Sequence, residues 1–406
     1  ILSKRMLICV FTGFASGMPL YVLYQLIPAW LRDSGVDLKT IGLFSLIALP
    51  YTWKFLWSPL MDRYVPPFLG RRRGWAVITQ VLLLLSIACF ALFEPKQSIS
   101  QIAIVVFCVA LFSASQDIVL DAYRRELLPD EELGLGNSFF VNAYRLSSLV
   151  PGSLSLILAD QLPWSSVHVI TALFMIVGIV TTLLMPNTAK DIEPPKSFKE
   201  AVVEPFKEFF TRKDIRSAVL ILAFMLLYKL GDSMATALST PFYLDIGFSK
   251  TEIGSIAKVA ALWSSIAGGF VGGVLMLRTG INKALWIFGI IQVVSILGFA
   301  ALSVIGPDKA VLFIVVSFEY LGVGLGTAAF VAFIAKTTNQ RFTATQFALL
   351  SSVTGIPRTF ANASTGYLIE AYGYTNFFFI CTVLALPGMV LLLWVAPWGA
   401  EEEQVG

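Results

Sequence analysis

The residues able to do chemistry in this 406-residue sequence are acids and bases set inside apolar runs. The stretch S113-A-S-Q-D-I-V-L-D-A-Y-R124 carries Gln116, Asp117 and Asp121. Asp117 and Asp121 are four residues apart, so on a helix both carboxylates share one face. Two like charges so placed repel unless a cation sits between them. Candidate cations are Lys54, Arg145, Lys229, Lys258 and Arg358; Asp232 follows Lys229 by three residues, and a further apolar run holds Glu319. Ionisable groups inside a bilayer are costly and mark pathways for solutes or protons, the other use being static ion pairs between helices. On this reading Asp117, Asp121, Asp232 and Glu319 are candidates to carry protons, Asp117 first among them. Lys54, Lys229 and Arg358 are candidates to pair with substrate carboxylates. Tyr24, Gln25, Gln116, Tyr123 and Tyr228 add rings and amides able to stack on and hydrogen-bond a sugar. The sole histidine, His168, begins an apolar run and reads as an interface residue, which leaves proton coupling to carboxylates. No HExxH, GxSxG, P-loop or Cys/His cluster occurs, so neither an enzyme nor a metal or other cofactor is indicated.

The elements that position these groups follow from composition. Hydrophobic residues make up 57% of the chain and charged residues 14%, with a mean hydropathy of +0.78. Soluble domains hold about 45–50% apolar and about 25% charged residues. Too few polar side chains remain to cover a water-exposed surface, which excludes secreted, nucleic-acid-binding and disordered classes. A net charge of +3 does not call for a polyanionic partner. Lys4-Arg5 precedes an apolar run with no small-residue cleavage site, so the start reads as a membrane span, not a removed signal peptide. Cys9, Cys89, Cys108 and Cys381 lie in apolar runs without CxxC spacing and read as small hydrophobes.

Spanning helices need roughly 20 apolar residues. Twelve such stretches stand at 7–31, 40–62, 74–93, 101–123, 137–161, 165–186, 215–242, 250–277, 283–305, 309–336, 342–369 and 374–397. Between the sixth and seventh, Asn187 to Arg216 is polar, and SFKEAVVEPFKEFFTRK within it suits an amphipathic surface helix. The expected division is therefore 1–186, a linker 187–214, and 215–406. With the N-terminus inside, 19 Lys and Arg fall in cytoplasmic segments and five in the opposite loops, which places both termini in the cytoplasm. Pro19, Pro50, Pro151, Pro357 and Pro387 predict kinks. Gly268, Gly269, Gly272, Gly273, Gly322, Gly324 and Gly326 predict close helix approach.

The two halves echo each other. W30-L-R-D-S-G-V-D-L-K-T-I-G42 and F242-Y-L-D-I-G-F-S-K-T-E-I-G254 align at an offset of 212, matching Asp33 to Asp245, Gly35 to Gly247, Ile41 to Ile253 and Gly42 to Gly254. Parallel halves of six helices around a central cavity are the major facilitator architecture, an all-α, polytopic fold of 12 transmembrane helices. Between spans two and three, S58-P-L-M-D-R-Y-V-P-P-F-L-G-R-R-R-G74 resembles that superfamily's cytoplasmic loop motif. There Asp62, Arg63, Arg71, Arg72 and Arg73 form a candidate conformational gate, the simpler use of the arginines being positive-inside anchoring.

The span-four stretch S113-A-S-Q-D-I-V-L-D-A-Y-R124 is similar to the fourth-helix motif of AmpG-type muropeptide permeases. L38-K-T-I-G-L-F-S45, K54-F-L-W-S-P-L-M-D-R-Y64 and G70-R-R-R-G-W75 resemble the same family's second helix and loop. Y228-K-L-G-D232 and T345-Q-F-A-L-L-S351 resemble its seventh and eleventh helices. The resemblance runs from span one to span twelve, and acetyl-CoA transporters share parts of it. It implies a bacterial inner-membrane importer, driven by protons, of N-acetylglucosamine linked to 1,6-anhydro-N-acetylmuramic acid, with or without peptide. Uptake would feed peptidoglycan recycling and, where a β-lactamase is inducible, supply the inducing signal. Residues carried over by motif are Lys54, Gln116, Asp117, Asp121, Lys229 and Asp232. Some family members continue into further spans, whereas this sequence ends E401-E-E-Q-V-G406. The rival readings are a transporter of another amphiphilic solute and a non-transporting membrane sensor. The expected partners are the solute, protons and the lipid bilayer, with no nucleic acid, and the expected state is a monomer.

Overall fold

The computed structural model describes residues 3–57, 61, 64–128, 130–187, 215–337 and 343–399. Among these, every regular element is helical, and nine helices are long and apolar enough to cross a membrane. The spans expected at 40–62 and 137–161 are helical too, but broken. The first runs through Leu38–Leu43, a tighter turn Phe44–Ala48, then Leu49–Trp53 and Lys54–Leu56. The second runs through Asp130–Leu146, a wide turn Val150–Leu154, and Ser155–Ala159. Spans eleven and twelve form one run, Thr343–Val395, turned at Gly373, whose φ of 76° suits a residue without a side chain.

Proline explains several of the breaks. It removes one backbone donor and crowds the preceding turn, so the helix widens or tightens nearby. The wide turn Val22–Leu26 follows Pro19, Val150–Leu154 contains Pro151, and the interrupted second span contains Pro50. Pro357 and Pro387 differ from the expectation: the helical run passes through both, and its one departure from helical backbone is at Gly373.

The chain forms two compact units. The first comprises 1–37, 46–195 and 248–258; the second comprises 38–45, 196–247 and 259–406. A single cut at the linker would put 38–45 and 248–258 elsewhere, so each half of the sequence lends the tip of one span to the unit built mainly from the other. The linker reading itself, at 187–214, falls outside the described residues apart from Asn187.

Within each unit the helices meet through small residues. In the first, Gly13 and Gly17 of the helix Lys4–Tyr21 face the carbonyls of Phe140 and Tyr144. In the second, Gly268 and Gly324 face the carbonyls of Leu321 and Ser265. Lipid is as apolar as leucine, so close packing of this kind holds helices together where water expulsion cannot. Phe224, Phe288, Phe330 and Phe333 fill the second unit's core beside Tyr228. Phe270, Val304 and Leu184 are 75%, 73% and 72% exposed, a surface that water would not tolerate and acyl chains accept.

The internal echo is physical. Gly35 and Gly247 both take positive φ, 80° and 106°, and donate backwards to Arg32 O and Leu244 O at 2.9 and 3.1 Å. Asp33 accepts from Trp164 Nε1 at 2.7 Å, and its counterpart Asp245 accepts from the Tyr374 hydroxyl at 2.6 Å. Each half therefore ties the end of its first span to the start of its sixth in the same way.

Candidate functional site

The acids of the fourth span separate into two environments. In the helix Pro95–Leu127, Asp117 accepts a hydrogen bond from Ser16 Oγ of the first helix. One residue earlier, the buried Gln116 donates from Nε2 to Ala15 O at 2.9 Å. The fourth span thus reads two successive residues of the first, and Asp117 is fixed from both sides of its peptide. Lys54, where the second span tightens into Lys54–Leu56, is a cation acting on Asp117, as is Arg124. Trp57, three residues on, donates from Nε1 to Ser115 Oγ at 3.0 Å and holds that segment against the fourth span. Asp121 is different: its side chain is 49% exposed and pairs with Arg124 at 2.9 Å. The Arg124 guanidinium in turn lies 3.9 Å from the ring centre of Phe140. The two carboxylates share a face, Asp117 half-buried against the first helix and Asp121 turned to the exposed side.

The second unit holds its own charged cluster. The helical path breaks at Lys229, between Ile215–Leu227 and Leu230–Ala237, and Lys229 Nζ sits 2.7 Å from Asp232 Oδ2. Asp232 is 6% exposed and Glu319, on Lys309–Thr337, 1%. Next to this pair Ser233 and Asn362 exchange hydrogen bonds at 3.2–3.3 Å.

In the cytoplasmic loop, Asp62 and Arg63 lie outside the described residues. Arg72 pairs with Glu126 at 2.9 Å, the two side chains being 11% and 1% exposed. Arg73 donates to Thr182 O and Leu183 O at 3.2 and 2.7 Å, capping the carbonyl end of Met175–Leu184, where the helix dipole favours a cation. Arg71 is half-buried. The three arginines therefore divide: Arg73 finishes a helix, and Arg72 clamps the third span to the fourth.

The remaining candidates fall apart spatially. Tyr123 and Tyr228 are buried with their hydroxyls donated to Pro186 O and Leu285 O, at 2.9 and 2.8 Å. Tyr228 also stacks on Phe330. Tyr24 is exposed, and the Gln25 amide rests against Gly152. The side chain of Arg358 lies outside the described residues. His168 corrects the interface reading: it is fully buried among Trp30, Phe90 and Trp164.

Residues 9–358 match the Major Facilitator Superfamily. The chain belongs to that superfamily. Within it, the chain is 43% identical to the "Anhydromuropeptide permease" of Escherichia coli over 393 residues, 96% of this chain and 79% of that protein. It is accordingly a multi-pass membrane transporter of the anhydromuropeptide permease family and not an enzyme. Two solved structures share the fold. A POT family transporter in complex with 5-aminolevulinic acid has a TM-score of 0.75 at 16% identity, covering 97% of this chain and 96% of its own. A D-xylose-proton symporter has a TM-score of 0.73 at 10% identity, covering 97% of each.

Several residues of this permease-family chain were not singled out from the sequence. Ser16, Glu126 and Trp164 are the partners of Asp117, Arg72 and Asp33. Lys250 adds to the last of these, 3.2 Å from Asp33 Oδ2 and 3.6 Å from Asp160 Oδ1, while Thr251 N donates to Asp160 at 2.6 Å. The one sequence signal for this cluster was the echo that pairs Asp33 with Asp245.

Proposed function

We propose that this protein imports anhydro-muropeptides, N-acetylglucosamine linked to 1,6-anhydro-N-acetylmuramic acid with or without stem peptide, across the bacterial inner membrane. The observation that carries the proposal is the 43% identity to a named anhydromuropeptide permease over 96% of the chain. The imported product feeds peptidoglycan recycling and, in bacteria with an inducible β-lactamase, its induction.

The charges support this cargo and its driving force. Stem peptides bear carboxylates; Lys229 is a cation inside the span Ile215–Asp245, where a low dielectric strengthens pairing, and Lys54 is a half-buried cation at the break Lys54–Leu56 of the second helical path. Asp117 is the proton carrier of the first unit. It is half-buried, held by Ser16 and placed within the influence of Lys54, so that gain or loss of one proton changes the charge balance of the site. A proton on Asp117 removes the cost of a buried charge and favours whichever conformation encloses it, which ties proton movement to the transport cycle.

The test is uptake of labelled anhydro-muropeptide by cells expressing the protein, with and without an uncoupler. Uptake should be abolished by the uncoupler and outcompeted by anhydro-muropeptides but not by plain sugars or acetyl-CoA. Lys54→Ala and Lys229→Ala should each slow it. Uptake indifferent to anhydro-muropeptide competition, or wild-type rates in both lysine variants, would end this reading.

A further inference from the structure

We propose that Glu319 and Asp232 form a second proton site, within the second unit, in which one proton is shared by two carboxyl groups and Lys229 supplies the countercharge. The proposal rests on the proton-driven reading above. Glu319 is 1% exposed on the helix Lys309–Thr337, and its carboxyl group meets the Ser295 hydroxyl and the Asp232 carboxyl, with Lys229 the cation acting on it. An ionised carboxylate so placed has given up water and stands beside a second carboxylate, Asp232, that already takes up the Lys229 ammonium, a cost that packing does not offset. The side chain therefore carries a proton.

Its surroundings decide where that proton can go. Ser295 on the ninth span, Cys381 on the twelfth, and Lys229, Asp232 and Tyr243 on the seventh are the polar and titratable groups around Glu319. The register of the tenth span agrees. One turn beyond Glu319, a methyl on Gly322 would stand 3.2 Å from Ser295 Oγ, and a methyl on Gly326 would run into the Gln292 amide. Lys229 and Asp232 are the charged members of this set. Asp232 turns Oδ2 to the Lys229 ammonium at 2.7 Å. A carboxylate with one oxygen on the Lys229 ammonium thus neighbours a buried carboxylic acid able to donate to it.

The exchange balances. The O–H bond of Glu319 breaks, an O–H bond forms at Asp232 Oδ1, and the ammonium of Lys229 follows the negative charge from Asp232 to Glu319. Before and after, the cluster holds one ammonium, one carboxylate and one carboxylic acid, with no net charge. Movement within the cluster leaves its electrostatic balance intact, whereas losing the proton leaves two carboxylates on one ammonium in a low dielectric. The site therefore keeps its proton while enclosed and yields it when a change of conformation admits water or another cation. This makes it a store that can be loaded on one side of the membrane and emptied on the other.

Infrared difference spectroscopy of the purified full chain, stepped from acid to alkaline buffer, reads the carbonyl stretch of protonated carboxyl groups directly and without substrate. At neutral pH a band from a buried carboxylic acid should be present, should vanish in Glu319→Gln, and should move in Asp232→Asn. Glu319→Gln should lose about tenfold or more of its accumulation of substrate against a gradient, since each proton moved supplies a fixed increment of driving force. If Glu319→Gln does not fold, Glu319→Asp must show the band displaced in frequency. A band unaltered in these variants, no such band in the wild type, or full accumulation with an unchanged pH profile in Glu319→Gln would each overturn the proposal. A wild-type protein that shows the band but takes up no anhydro-muropeptide would refute the substrate reading and leave the proton site standing.

Discussion

Gly13→Ala and Gly17→Ala should each destabilise the protein, although alanine favours helices. A methyl at Gly13 would overlap the carbonyl oxygen of Phe140 and stand 3.0 Å from Phe140 Cα; at Gly17 it would overlap Tyr144 O and stand 2.6 Å from Ser147 Oγ. Carbon atoms normally meet at about 3.5–4.0 Å. The obstructing oxygens are main chain in Asp130–Leu146, so no rotamer change relieves the overlap and the helices must part. Parting by about 0.5–1 Å forfeits a quarter to a half of the dispersion attraction of each atom pair across the seam. Overpacking of this kind costs about 1–3 kcal/mol, against a propensity gain of about 0.8–1 kcal/mol for leaving glycine. The net loss is up to about 2 kcal/mol, or several degrees of melting temperature at about 2–4 °C per kcal/mol. Gly273→Ala supplies the control, because a methyl there meets nothing within 4 Å and keeps the propensity gain. Thermal unfolding of the three purified variants in one detergent decides the matter. The double variant should cost less than the sum, since helices already parted accept the second methyl more easily. Melting of Gly13→Ala and Gly17→Ala at or above Gly273→Ala would refute the reasoning.

Asp117→Asn keeps shape but cannot ionise, so it should retain gradient-free exchange and lose accumulation, by roughly 40-fold for each net charge that a 100 mV potential would have driven inward. Uncoupler-sensitive accumulation persisting in both Asp117→Asn and Asp121→Asn would move the coupling elsewhere. Arg72→Ala takes the guanidinium from the nearly buried Glu126 carboxylate and should lower the melting temperature, with Arg72→Met plus Glu126→Leu recovering most of the loss; melting at the wild-type temperature in Arg72→Ala would contradict this. Trp164→Phe and Tyr374→Phe each remove one donor to an aspartate and should cost about 0.5–1.5 kcal/mol apiece, additively, as the two bonds share no partner; a coupling energy beyond error would contradict this.

Much of the fold was legible because lipid imposes it. Backbone groups in a bilayer must be satisfied locally, so any long apolar run has to be helical, and counting runs finds the helices. Where the helix narrows or widens was only partly visible. Pro19, Pro50 and Pro151 mark such places, yet Pro357 and Pro387 sit in an unbroken run, because neighbouring helices decide whether a freed carbonyl is satisfied in place. The lending of 38–45 and 248–258 to the opposite units was not legible at all. Gly42, where a methyl would stand 3.1 Å from Ala363 O, and Lys39 on Glu370 at 2.8 Å fix one tip, while Gly254, where a methyl would stand 2.8 Å from Ser153 O, and Lys250 on Asp33 fix the other. The two tips carry the same sequence pattern, which says that they are equivalent without saying where either docks.

For the site, helical spacing gave direction but neither depth nor partner. Asp117 and Asp121 share a face, yet the turn between them separates a carboxylate held by Ser16, 101 residues away, from one half in solvent beside Arg124. Internal symmetry is a better guide, used in reverse. At the offset of 212 that equates Asp33 with Asp245, Asp117 corresponds to Ala329, Lys229 to Gly17, Asp232 to Leu20 and Glu319 to Phe107, and no charge stands within two residues of any counterpart. The duplicated residues are those that build: glycine turns, span ends and their aromatic clasps. The unduplicated ones are ionisable groups, Asp232 and Glu319 buried and Asp117 and Lys229 half-buried, which a bilayer penalises and packing alone would replace with apolar residues. On the function proposed above, the charges that break the pattern are the candidates for proton and substrate chemistry in a chain built twice from one pattern.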